Sequence, residues 1–252
     1  MLRSMDDILG YAIEAEDGDI GHCKDFLFDD EKWIIRYMVA DTGGWLTGRR
    51  VLLSPIALGE PDWASRRFPV KMTKRQVEKS PPLEVNMPVS EDYEIRFANF
   101  YGYPYYWAGR GLWADQSKPG ALYGMNAEDI QKLKFKERKE NHLRSVKEVE
   151  GYNIQASDGD IGHIEDFIVD EETWAIRYVV VDTRNWLPGG KKVLISPEWA
   201  SAIRWPEKVF EVDLSREAVK NSPEYDPSKP INKEFEIRLY DFYGRPYSGT
   251  RL

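Results

Sequence analysis

Gly10-Tyr-Ala-Ile-Glu-Ala-Glu-Asp-Gly-Asp-Ile-Gly-His22 returns 141 residues later as Gly151-Tyr-Asn-Ile-Gln-Ala-Ser-Asp-Gly-Asp-Ile-Gly-His163. The correspondence continues outward. Trp33-Ile-Ile-Arg-Tyr37 pairs with Trp174-Ala-Ile-Arg-Tyr178, and Asp41-Thr-Gly-Gly-Trp-Leu46 with Asp182-Thr-Arg-Asn-Trp-Leu187. One inserted residue near Gly189–Gly190 moves the offset to 142. Val51-Leu-Leu-Ser-Pro55 then matches Val193-Leu-Ile-Ser-Pro197, and Tyr101-Gly-Tyr-Pro-Tyr105 matches Tyr243-Gly-Arg-Pro-Tyr247. Two long copies, about 1–107 and 145–252, point to a tandem duplication and not to a solenoid of short units.

Each copy reads first as a meander of short strands. Tyr11–Ala15 and Ile20–Asp29 flank Asp17-Gly18, a dipeptide suited to a tight hairpin because glycine accepts positive φ. Ile34–Asp41 is rich in β-branched and aromatic residues, with Ile35, Tyr37 and Val39 on one face and Ile176, Tyr178 and Val180 as their counterparts. A glycine-rich loop leads to Val51–Ser54, and a fifth strand is expected near Phe68–Val70 and Phe210–Val212. Short strands punctuated by turns suggest a small barrel or sandwich.

The period then changes. Thr73 and Ser215 are N-cap residues for a short helix, with Thr73 and Gln76 forming a capping box. Ser90 and Asn232 cap a second helix. Its apolar stripe is expected at Tyr93, Phe97, Phe100 and Tyr101, and again at Phe235, Leu239, Phe242 and Tyr243, packing on its own domain and ending at Gly102 and Gly244. Residues 108–144 match neither copy. They read as a connector: a loop to about Gly124, then a helix from Ala127 to about Lys139 capped by Asn126.

Composition bounds the function. The 252 residues suit two domains, and 42% hydrophobic residues with nine Trp can bury a core. The net charge is −8, with about −5 and −6 on the copies and +3 on the connector, which argues against nucleic acid or an anionic membrane as partner. One cysteine, Cys23, forms no internal disulfide, so a cytoplasmic location is expected. No run is long and apolar enough to insert in a membrane.

The stretches Gly10–Pro55 and Gly151–Pro197 resemble the PRC-barrel family. The shared marks are the leading glycine, the Asp-Gly-Asp-Ile-Gly turn, Trp-x-Ile-Arg-Tyr, Asp-Thr-x-x-Trp-Leu and Val-Leu-(Leu/Ile)-Ser-Pro. The tails Phe100-Tyr-Gly-Tyr-Pro-Tyr105 and Phe242-Tyr-Gly-Arg-Pro-Tyr247 are similar to those of bacterial stand-alone members. The resemblance implies a mainly β protein: two small β-barrels, each with short C-terminal helices, joined by a partly helical linker. It also implies kinship with the cytoplasmic domain of the photosynthetic reaction-centre H subunit and the C-terminal domain of the ribosome maturation factor RimM. In those relatives the barrel docks and assembles and holds no catalytic residue.

The residues themselves assemble no enzyme site. Asp19, His22 and Asp25, with Asp160, His163 and Asp166, have the chemistry of metal ligands, but alternation along a strand drives them to opposite faces. Cys23 is Ile164 in the second copy, and Ser54 and Ser196 lack a nucleophile elbow. No phosphate-binding glycine loop is present. The expectation is therefore a non-catalytic adaptor without cofactor, docking a protein partner not yet identified. A small-ligand or metal-binding sensor is the alternative. The candidate interaction residues are Asp41 and Trp45, Asp182 and Trp186, and the aromatic tail Tyr103, Tyr105 and Trp107. Pairing of the two copies within the chain and a homo-oligomer both stay open.

Overall fold

The computed structural model describes residues 1–44, 46, 48–83, 88–132, 142–184, 186 and 190–247. In chain order, β1 (Leu2–Ser4) and α1 (Met5–Ile8) precede the strands β2 (Ala12–Ala15), β3 (Gly18–Asp29), β4 (Ile34–Asp41), β5 (Arg50–Leu53) and β6 (Arg67–Pro69). Helices α2 (Lys74–Lys79) and α3 (Glu91–Tyr101), a 3-10 turn at Pro119–Leu122 and α4 (Ala127–Lys132) follow. The second copy begins with β7 (Leu143–Ser145) and α5 (Val146–Val149). It continues through β8 (Asn153–Ala156), β9 (Gly159–Asp170), β10 (Ile176–Asp182) and β11 (Lys192–Ile195). A 3-10 turn at Pro197–Trp199, β12 (Ala200–Arg204), β13 (Val209–Val212), α6 (Arg216–Asn221) and α7 (Lys233–Phe242) complete it. The protein is mainly β.

These strands make two sheets. One runs β5-β4-β3-β2-β6, the other β11-β10-β9-β8-β13-β12. In both, the hairpin pairs are antiparallel while the returning strand, β6 on β2 or β13 on β8, lies parallel. The hairpin loop is Glu16-Asp17, one residue earlier than Asp17-Gly18: Ala15 faces Gly18, which takes φ +127° as the first residue of β3. From the turn's second corner, the Asp17 carboxylate accepts from the Lys74 amide at the start of α2 (2.7 Å), and Asp158 does the same for Arg216 (2.7 Å). This bond ties each hairpin to the helix that follows its sheet. The helix caps fall where sequence places them: Thr73 with Gln76 in a capping box, and Ser90, Ser215 and Asn232 each accepting from the third helical amide. Each such cap is worth about 1 kcal/mol.

The chain divides into two compact units that are discontinuous in sequence. One holds Met1–Asp7, Val146–Glu171 and Ile176–Arg251. The other holds Ile8–Ser145 and Glu172–Ala175; residues 248–252 lie outside the described range. The short opening strands cross over accordingly. β1 pairs with β9 and β7 pairs with β3, both antiparallel.

In the unit containing β3, Phe26, Phe28, Phe68, Trp33 and Tyr11 are buried. The Trp174 ring lies 5.9 Å from that of Phe26 and 6.2 Å from that of Phe68. Much of the expected connector also belongs to this core. Leu112, Trp113, Ala114 and Leu122 are buried, and Trp113 is the largest side chain with essentially no exposure. Its indole donates to the Thr173 carbonyl (2.8 Å). Of the expected 127–139 helix, Ala127–Lys132 is helical; the rest lies outside the described residues.

Gly21 and Gly162 explain why the Asp-Ile-Gly-His motif needs its glycine. They take φ +133° and +151°, and a Cβ on either would stand 2.0 or 2.2 Å from the carbonyl oxygen of Asp41 or Asp182 across the sheet. Gly10, at φ +79°, has open space around it. Gly10→Ala should therefore cost only its backbone strain, about 1–2 kcal/mol. Gly21→Ala should lose several kcal/mol more, because the obstructing atoms are backbone. The urea midpoints of the two variants measure the difference, and equal midpoints would refute the close-approach explanation.

Candidate interaction surface

The Asp-Thr loops are built on their own backbone. Asp41 accepts from the Gly43 amide (2.9 Å), and the Thr42 hydroxyl donates to the Arg49 carbonyl (2.7 Å). In the second copy Thr183 bonds Lys191 in the same way, and Asp182 accepts from the Arg184 amide and guanidinium (2.6–3.1 Å). The Arg184 guanidinium holds the Asp182 carboxyl down at about 2. Both aspartates are thus spent on loop geometry. The Trp186 amide closes this loop on the Thr183 carbonyl (3.0 Å) while its side chain stays 38% exposed. Trp45 lies outside the described residues.

The aromatic tail divides. Tyr103 stacks on Tyr101 at 5.4 Å and remains half-buried. Tyr105 stacks on Trp107 at 5.0 Å and donates its hydroxyl to Asn99 (3.0 Å). Trp107 is buried.

The expected stripes face inward except at one position in each helix. On α3 Tyr93 and Phe97 are buried and Tyr101 half-buried, with Glu94 and Ala98 buried beside them; on α7 Leu239 is buried and Phe235 and Tyr243 half-buried, with Glu236 and Tyr240 buried beside them. Phe100 and Phe242, expected to pack, are 43% and 41% exposed. Each sits edge-on against the tyrosine that follows it, at 4.8 and 5.1 Å. Tyr123 (42%) and Ile237 (38%) are also exposed.

The inward glutamates organise a polar core that apolar periodicity does not signal. Glu94 accepts hydroxyl bonds from Tyr37 (3.1 Å) and Tyr106 (2.7 Å). Glu236 accepts from Tyr178 (2.7 Å) and Tyr247 (3.1 Å), with Arg177 at 3.3 Å. Burial, then the adjacent carboxylates, push the Tyr37 and Tyr178 phenols well above their ordinary value. Arg36 is fully buried. It bonds the Leu112 carbonyl (2.7 Å) and Asp29 (3.2 Å), with the Tyr106 ring 4.0 Å from its guanidinium carbon. Their recurrence at one offset is the signal that could have found Glu94 and Glu236.

The would-be metal ligands do not converge. Asp19 meets Arg67 (2.9 Å), His22 faces Asp41 across the ladder, and Asp25 accepts from the Ser145 hydroxyl (2.5 Å) and the Phe26 amide (2.8 Å). Among the described residues no three His, Cys, Asp or Glu side chains gather as a metal site. An open cleft of about 440 Å³, bordered by Arg184, Lys191, Lys192, Glu224, Asp226 and Lys229, has its cations engaged. Arg184 pairs with Asp182, Lys192 with Glu165 and Lys229 with Asp226, while Lys191 bonds the Ser222 carbonyl. No helix among the described residues is long and apolar enough to cross a membrane.

Residues 142–219, from the start of β7 into α6, match the PRC-barrel domain family. No curated protein matches the chain.

Two buried ionisable groups give measurable consequences. Burial pushes the Asp166 carboxyl up to about 6, with the Asp6 charge adding to the shift and the Ser4 hydroxyl opposing it. The folded chain therefore holds this proton more tightly than the unfolded one. The resulting stability is fully present below about pH 4 and is lost as pH rises through 6. Asp166→Asn should flatten the pH 4–6 part of the stability curve, by on the order of 2 kcal/mol. Identical slopes for variant and parent would refute this. Arg36→Met should cost about 3–5 kcal/mol by leaving Asp29 buried without its cation, read from the denaturant midpoint.

Proposed function

We propose that the chain is a non-catalytic, cytoplasmic adaptor built from two PRC-barrel modules, the first copy being a module of the same kind as the second. Three features support the two-module reading. The sequence repeat is in register, the sheet cores run in the same strand order, and the hairpin-to-helix bonds of Asp17 and Asp158 are equivalent. The observation that carries the adaptor reading is the paired Phe100–Tyr101 and Phe242–Tyr243 arrangement. Two copies that have diverged elsewhere both leave a large phenylalanine more than two-fifths exposed at the same helical position. A phenylalanine held out of the core in both copies forgoes burial worth about 2 kcal/mol, which suits an anchor for a pocket on another protein. Trp186 supplies a further amphipathic side chain.

The partner expected is a protein with apolar pockets and without a strongly acidic face, since both copies carry net negative charge. The test is affinity capture by the full chain against a triple variant, Phe100→Ala/Phe242→Ala/Trp186→Ala, with folding of both checked by circular dichroism. A protein retained stoichiometrically by the parent and reduced roughly a hundredfold by the variant is the expected result. A partner retained equally by both, or none retained by the parent, would overturn the reading.

A further inference from the structure

We propose that the outer edges of β3 and β9 are docking sites for the Leu-Arg-Ser arm of another copy of the repeat, so that the two halves of this chain are a reciprocally exchanged pair, each built to receive a second copy. This inference stands apart from the adaptor reading.

The two arms are the same tripeptide, Leu2-Arg3-Ser4 and Leu143-Arg144-Ser145, at the repeat offset of 141. They dock in the same register. Leu2, Arg3 and Ser4 face Asp170, Val169 and Ile168; Leu143, Arg144 and Ser145 face Asp29, Phe28 and Leu27. The acceptor residues differ by 141 at every position.

The recognition chemistry is also duplicated. Ser4 donates its hydroxyl to Asp166 and Ser145 to Asp25, both at 2.5 Å. Arg3 pairs with Glu171 (3.1 Å) and Arg144 with Asp30 (2.8 Å), again equivalent acidic residues. The Glu171 amide bonds the Met1 carbonyl (3.0 Å) as the Asp30 amide bonds that of His142 (2.8 Å). Just beyond each arm an apolar residue is buried, Met5 in one case and Val146 in the other.

An arm and its acceptor are therefore a matched set written into each repeat, yet each arm is used by the sheet of the other. The family match makes the same point, since residues 142–219 begin with an arm that docks on β3. Three ladder residues, a serine-aspartate bond and an arginine-carboxylate pair specify a strand-addition site whose occupant is another copy of the same sequence.

The test uses the full chain with a specific protease site replacing residues 134–140 and with Leu2→Cys/Asp170→Cys. Once cut, the two pieces should still migrate together at the mass of the whole chain. Mild oxidation should then join them through the new disulfide on a non-reducing denaturing gel. Pieces that separate at once without denaturant, or that fail to join on oxidation, would overturn the proposal. In the cut chain, Ser4→Asp/Ser145→Asp should raise the concentration at which the pieces part by roughly tenfold or more, because each new carboxylate faces the aspartate that bound the hydroxyl. The same pair in the uncut chain reports on folding. An unchanged parting concentration would show that the arms do not hold the halves together.

Discussion

The twelve-residue strands β3 and β9 are longer than the hairpin partners that precede them, and the short opening strands accommodate that mismatch. β8 covers only Gly159 to His163 of β9, and β2 covers only Gly18 to His22 of β3. Beyond those points the strands continue with buried residues, Ile168 and Val169 in one and Phe28 and Asp29 in the other. Backbone amides and carbonyls there need partners, because an unpaired buried polar group costs as much as a lost hydrogen bond. A bare edge at that place would also invite pairing with another chain. The three-residue arms close the gap, and the serine-aspartate bonds set their register. The same constraint accounts for the discontinuous compact units: each copy's opening strand lies in the sheet of the other copy.

Behind the sheets lies a second constraint, a set of buried charges on helices that would otherwise be ordinary amphipathic covers. Glu94 and Glu236 face inward because tyrosine hydroxyls from the sheet meet them there. A buried carboxylate is tolerable only when its lone pairs are satisfied. The two copies solve the remaining charge differently. Arg177 pairs directly with Glu236, whereas its counterpart Arg36 turns to Asp29 and the Leu112 carbonyl beneath the Tyr106 and Trp113 rings. Segment 106–113 is what makes the second solution available, which is why residues that resemble a connector in sequence carry a core tryptophan.

How far the sequence discloses this follows from which interactions are local. Strands β3, β4 and β5, the helix caps and the left-handed Gly102 are legible because alternation, capping chemistry and positive φ depend on neighbours in the chain. The hairpin loop is displaced by one residue because Asp17 has a second task at the start of α2, a long-range bond that dipeptide preference does not contain. On the helices an apolar-only count finds most of the inward face but passes over the buried Glu94 and Glu236 and assigns Phe100 and Phe242 to it. Docking of β1 and β7 is illegible in each arm alone, since three residues are too few to carry a periodicity. It emerges only from the joint recurrence of Leu-Arg-Ser, Asp25/Asp166 and Asp30/Glu171. Of the candidate site residues, the loop aspartates turn to internal bonds and Trp107 to the core, while the exposed phenylalanines sit in stripes that pattern assigns to packing.

Trp33 and Trp174 show which term wins when local preference and packing disagree. Both adopt left-handed backbone, φ +56° and +60°, a conformation that favours glycine and costs a bulky residue about 1–2 kcal/mol. Both are nonetheless nearly fully buried, Trp33 stacked on Phe28 at 5.1 Å and Trp174 against Phe26 and Phe68. Removing some 200 Å² of indole from water is worth about 5 kcal/mol, several times the strain. Glycine would relax the turn and forfeit the larger quantity. For Trp174 the residues so fixed, Glu172–Ala175, belong to the unit built on β3, where the Trp174 carbonyl accepts from the Ile35 amide (2.8 Å). The strained turn is therefore a second place, after the arms, where a segment of one copy completes the sheet of the other.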